Sequence, residues 1–157
     1  MKDLILKILW IYVLSLTPGL EGRYALIVSR FIGLDLGTSF LIASLGVITL
    51  SLTLPTLLPL IDKLMLKLAK RGKLLSNFAL LYLKYLEDVR RRSSKYIERW
   101  GIPGLIIFVS IPLPATGIWT GSLAAYILGM RRRETIISLF VGGIMSNLIT
   151  LVPSVVI

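Results

Sequence analysis

Residues 101–130 form a long apolar stretch with basic clusters at both ends, "RRRSSKYIER" before it and "RRR" at 131–133 after it. Basic residues beside apolar segments collect on the cytoplasmic side of a membrane. A single crossing would put one cluster on the wrong side. A stretch that enters, turns and leaves by the same face keeps both clusters together, and "IPLPATG" at 111–117 supplies a Pro/Gly turn. Arms of roughly ten and twelve residues reach about 15–18 Å as helix, near mid-depth. A re-entrant helical hairpin is therefore expected over 101–130. Irregular backbone at that depth is tolerated only against protein or a watery cavity.

Composition supports the membrane premise. Of 157 residues, 55% are hydrophobic and 17% charged, and the mean hydropathy is +0.84. So few charges, so clustered, cannot cover the surface of a soluble domain of this size. The formal net charge of +10 would raise nucleic-acid binding in a soluble protein, but eleven Lys and Arg lie between Lys63 and Arg99 and three more at 131–133. That pattern marks 62–100 and 131–133 as cytoplasmic, in reach of anionic headgroups, and no nucleic-acid partner is expected. The apolar N-terminal run lacks a small-x-small cleavage pattern before Glu21 and is read as a retained membrane segment.

The chain has no Cys and no His. That removes zinc chemistry and Ser–His or Cys–His triads, and the eight acids do not cluster. We expect no catalytic residues, no metal and no cofactor.

Four further segments follow. Residues 1–35 pair two short apolar runs around "TPGLEGR"; 38–61 is long enough to span, with Pro55 and Pro59 expected to kink its end. Residues 62–100 are basic and amphipathic, with Ile61, Leu64, Met65, Leu68 and Ala69 on one face opposite Lys63, Lys67 and Lys70. After a break at 71–73, a second stripe joins Leu74, Leu75, Phe78, Leu81, Tyr82, Tyr85 and Val89. Such helices lie in the membrane interface, or form a soluble hairpin that packs on itself or on a partner, since the stripe serves both. Residues 134–157 form the last apolar segment.

An offset of 96 residues aligns the two halves without a gap. Pro18, Gly33 and Gly46 fall on Pro114, Gly129 and Gly142, and Leu9, Ile11, Val13, Ile48 and Leu52 meet identical residues. The expected fold is an all-α integral membrane protein of two inverted repeats. Each repeat is a re-entrant hairpin followed by a transmembrane helix, and the basic region joins them. Four plain spanning helices with a chance alignment is the competing arrangement. Two full spans enclose little, so a homodimer is expected.

The tips would carry the chemistry. Tip one has turn residues Pro18, Gly19 and Gly22 with Glu21 and Arg23; charges at mid-membrane are costly and usually paired and functional. Arg23 offers a planar fork for phosphate or carboxylate, and Glu21 is expected to take up and release a proton. An internal ion pair that holds the tip in shape, or a tip lying shallow among headgroups, is the structural alternative. Tip two has turn residues Pro112, Pro114 and Gly117, the hydroxyls of Thr116 and Thr120, and Trp119 as an apolar wall or anchor. A helix beginning there would favour an anion. Arg30 and Asp35, at the mouth of hairpin one, are expected to pair or to guide anions. Ser146 and Asn147 are read as helix–helix hydrogen-bonding residues.

"PLPATGIWTGSLAAYILGM", residues 112–130, resembles the second-half signature of the small multidrug export proteins. Their first-half cluster is an E-x-R-G-x-I-P-type motif; "EGRYAL" at 21–26 keeps an acid and an arginine near a glycine, in altered order and without the following proline. That family is similar to the wider DedA-like (VTT-domain) superfamily. The resemblance implies two re-entrant hairpins in inverted repeats, and for some relatives a proton-coupled movement of polyprenyl-phosphate carriers. The expected function is a proton-coupled transporter or flippase of an anionic amphiphile, such as a polyprenyl-phosphate lipid, in the cytoplasmic membrane. The alternatives are a small multidrug exporter, as the family name suggests, and a scaffold working through its basic amphipathic region. An intramembrane lipid phosphatase is the weakest, having no nucleophile or metal site.

Overall fold

The computed structural model describes residues 2–69, 73–113 and 116–156. Among them are seven helices and no strand: α1 (Lys2–Leu16), α2 (Glu21–Phe31), α3 (Leu36–Ala69), α4 (Lys73–Trp100), α5 (Ile102–Ser110), α6 (Ile118–Ile127) and α7 (Arg132–Val156). At 1.5 Å per residue α3 is about 50 Å long and α7 about 37 Å, while α1, α2, α5 and α6 are all shorter than a ~30 Å hydrocarbon core. Two segments, Leu36–Lys67 and Arg132–Val152, are long and apolar enough to cross a membrane.

Both carry an outward apolar surface. Leu41, Leu45, Leu52 and Leu60 of α3 are exposed, as are Ile137, Phe140, Leu148 and Val152 of α7. Water would penalise so continuous a surface, whereas lipid does not. The opposite faces meet in the core, where Val47, Leu50 and Leu54 join Leu105, Phe108, Val109, Ile118 and Leu139.

α3 runs through Pro55 and Pro59 and past Ile61 to Ala69. The two missing N–H groups do not end it, and Leu54 and Leu58 beside them are buried in the core. α4 lies on α3, α5 and α6. Among its described side chains Val89, Ser93 and Ile97 are buried, while Leu81 of the expected stripe is left 68% exposed. Leu68, Ala69, Lys70, Leu74, Leu75 and Phe78 lie outside the residues whose side chains are described; of the expected break at 71–73, residues 71 and 72 lie outside the described residues and Lys73 opens α4.

Asp62 fastens this layer. Its Oδ1 accepts from the Tyr82 hydroxyl at 3.2 Å and its Oδ2 from the Tyr126 hydroxyl at 2.9 Å. Burial first, and the Asp62 charge second, push the Tyr82 phenol up to about 12. The clasp brings the C-terminal part of α3 beside the end of α6, a few residues before α7.

Short turns close the helix ends. At Gly33 (φ +75) and Gly129 (φ +70) the chain enters the left-handed region that glycine adopts without strain. In each turn the glycine N–H bonds a carbonyl three residues back and the next N–H reaches five back, Leu34 to Ser29 at 3.0 Å and Met130 to Ala125 at 2.9 Å. Such turns satisfy the last carbonyls of α2 and α6.

Candidate functional site

Glu21 opens α2 with a φ of 51, the only positive value among the described non-glycine residues. Residues two apart on a regular helix face away from each other. The left-handed backbone at Glu21 lifts that restriction, and its Oε2 meets Arg23 Nη2 at 3.2 Å. Both residues are buried, at 3% and 5% exposure. A non-glycine residue held in this region costs of order 1–3 kcal/mol and persists only where the surroundings impose it.

The surroundings are the other break in the chain. Glu21 Oε2 accepts from the Ile118 N–H at 2.9 Å and Oε1 from the Trp119 N–H at 3.2 Å. These are leading N–H groups of α6, which have no helical acceptor. Arg23 Nη1 donates to the carbonyls of Ile111 and Leu113, each at 3.0 Å, just beyond α5. The carboxylate thus sits at the positive end of one helix and the guanidinium beyond the negative end of another, the favourable sense for both. Gly117 makes the approach possible, because a Cβ there would fall on the Glu21 carboxylate and the Arg23 guanidinium.

A fifth bond between the breaks runs the opposite way. The Trp119 indole N–H donates to the Leu16 carbonyl at the end of α1, at 3.1 Å. Trp119 is therefore a tie between the two breaks rather than a free wall or surface anchor.

One cavity remains beside the pair. It holds about 10 Å³ and is lined by Glu21, Gly22, Arg23, Ile118, Ser146 and Asn147, among others. Arg23 Nε, Ser146 Oγ and Asn147 Nδ2 are buried without a hydrogen-bond partner. A volume near one probe sphere with three polar neighbours suits a single water. Asn147 also packs onto Gly22, where a Cβ would come within 2.6 Å of its Oδ1. Sequence reasoning gave Ser146 and Asn147 to helix–helix hydrogen bonding; the signal for their place beside the pair was an amide in an otherwise apolar span.

The other expected site residues lie as follows. Pro18 and Gly19 form the turn before Glu21, with Gly19 at φ +84. Pro112 sits between the two carbonyls that hold Arg23, and Pro114 lies outside the described residues. The Thr116 hydroxyl donates to the same carbonyls, Ile111 at 2.7 Å and Leu113 at 2.8 Å, and so stiffens that turn. Thr120 is not brought to Glu21; its hydroxyl faces that of Tyr85 at 3.4 Å.

Arg30 and Asp35 do not form an ion pair. Asp35 Oδ2 accepts from the Thr38 N–H at 2.8 Å and caps α3, while Arg30 reaches the Leu34 carbonyl at 3.5 Å. The local cap wins because it orders only the short Asp35 side chain, where the ion pair would also have to hold the long Arg30. Backbone and side-chain hydrogen bonds from Thr38 hold the Asp35 carboxyl below its ordinary value of 3.8. Among the described residues no group of three or more Asp, Glu, His or Cys could hold a metal.

Two membrane-length helices, an apolar exterior and a buried charge crossover between broken helices define a helical membrane protein. Residues 21–149 match the family described as "Putative small multi-drug export protein", and the chain belongs to that family. The matched region begins at Glu21 and includes every residue of the crossover except Leu16. No curated protein and no solved structure matches the chain.

Proposed function

We propose that the chain is a proton-coupled transporter of an anionic amphiphile, of the phosphate-headed lipid class, and that the Glu21–Arg23 crossover is its moving latch. The observation that carries this is the buried pair itself, which joins α2 to the ends of α5 and α6 while leaving Arg23 Nε unspent. All the Glu21 contacts use its carboxylate as an acceptor. A proton placed on it would set a donor against donors, loosen the N-terminus of α6 and release Arg23 Nη2. The freed fork is suited to a phosphate.

The inverted hairpin arrangement belongs to the same proposal. The 96-residue offset that relates Gly33 to Gly129 also relates the first residues of α3 and α7, Leu36 and Arg132. Asp62, late in α3, bonds Tyr126, shortly before α7, which supports opposite directions for the two long helices. With the basic end of both placed in the cytoplasm, one pair of short helices enters from each side, as in transporters whose broken helices meet at mid-depth.

The test is translocation of a fluorescent isoprenyl phosphate in reconstituted vesicles, with and without a pH gradient. R23A is expected to abolish it, and E21Q to leave movement that no longer responds to the gradient. Unchanged translocation in both variants would refute the assignment. A parallel arm with a cationic dye tests the multidrug alternative. If only the dye moves, the phosphate reading is replaced.

A further inference from the structure

Glu21 is held by groups that fix its charge but cannot give it a proton. Its oxygens accept from the Ile118 and Trp119 main-chain N–H groups and from Arg23. Neither an amide nor a guanidinium releases a proton in the physiological range. The bonds are also unevenly spread. Oε2 accepts from Ile118 and Arg23, whereas Oε1 accepts from Trp119, at 3.2 Å. Each carboxylate oxygen has about two lone-pair sites, so Oε1 keeps one for a further donor.

The small cavity beside the pair is where that donor fits. Besides Glu21, the polar side chains lining it are those of Arg23, Ser146 and Asn147, and the remaining lining residues are glycine, valine and isoleucine. Arg23 is the only other ionisable residue among them. Arg23 Nε and Asn147 Nδ2 are buried donors without a partner, on residues 5% and 1% exposed. The Ser146 hydroxyl is unpaired as well, but a helical serine can turn toward its own carbonyls, an option the two nitrogens lack. Asn147 is pinned where it stands, since a Cβ on Gly22 would come within 2.6 Å of its Oδ1 and 2.9 Å of its Nδ2. Donors from α2 and α7 thus meet at one cavity and need an acceptor there, and about 10 Å³ admits no more than a water.

We infer that Asn147 positions a water that carries the proton to Glu21. The water accepts from Arg23 Nε and Asn147 Nδ2 and donates to Glu21 Oε1. It passes one proton to the carboxylate and takes another from solvent by way of the Ser146 hydroxyl, so only O–H bonds break and form. This role rests on the proton-coupled reading of Glu21 and adds the α7 residue that serves it.

The test uses the full chain in detergent. Cross-relaxation from water to the Arg23 Nε proton is read by NMR. The infrared band of the protonated Glu21 carboxyl, identified by its loss in E21Q, is followed after a downward pH jump. N147L keeps the bulk of the side chain and removes its N–H donor. It should abolish the water signal at Arg23 and slow the rise of the band about tenfold or more. A second arm separates this role from a merely structural one. In vesicles N147L should lose translocation of the fluorescent isoprenyl phosphate, because Glu21 stays charged, and E21Q/N147L should recover the movement of E21Q, which needs no proton. Wild type lacking the water signal or the carboxyl band would overturn the proposal. So would a band in N147L that rises as fast as in wild type, or an inactive E21Q/N147L beside an active E21Q. The expected NMR and infrared results with no lipid movement in any variant, wild type included, would refute the transport function and still support the water's role.

Discussion

The two breaks in the chain, 17–20 and 111–117, do opposite jobs with opposite materials. The first is followed at once by a carboxylate and a guanidinium. The second contributes no charge, only N–H groups at 118 and 119 and carbonyls at 111 and 113. Glu21 and Arg23 therefore act less as a private ion pair than as two caps, one for each helix end at the second break. Trp119 returns a single bond to the first. A broken helix leaves uncompensated dipole ends, and one pair of charges placed between them serves both.

That comparison can be broken most severely by exchanging the charges. E21R/R23E keeps a neutral pair but sets a cation on N–H groups and an anion on carbonyls. We expect it to lose about 3–5 kcal/mol, the cost of uncompensated buried charge, with no recovery relative to R23E alone. Unfolding in detergent measures this, and near wild-type stability would reduce the crossover to an ordinary ion pair. A smaller effect tests the closeness of the two breaks. G117A puts a methyl on both charged groups and should cost about 1–3 kcal/mol by overpacking. G19A, at φ +84 with nothing within 4 Å, should cost only its backbone strain of about 1 kcal/mol. Equal effects on proteolytic protection of the two turns would deny that Gly117 is the contact point. The smallest effect belongs to the returning bond. W119F should lose about 1 kcal/mol while leaving transport in place, and an effect rivalling G117A would make the tie from Trp119 to Leu16 the principal one.

Much of the helical scaffold was legible. The long apolar runs mark α3 and α7, and Pro18, Gly19, Pro112 and Gly117 mark where the chain breaks. Local detail was less so. Arg30 and Asp35 look like partners in sequence, yet Asp35 finds a nearer donor at Thr38. Asp62, which no sequence pattern singled out, fastens two tyrosines from distant helices. Asn147 was legible as a polar residue between helices, but that it stands against Gly22 was not.

The sequence by itself determined a helical chain at home in lipid and which two stretches break. Side-chain chemistry and backbone propensity are properties of single residues, so they can be read in order. What Glu21 and Arg23 meet was decided only by the tertiary structure. Their partners stand 88 to 98 residues away and are main-chain N–H and C=O groups. Those groups carry no residue identity, so no spacing or motif could have announced them.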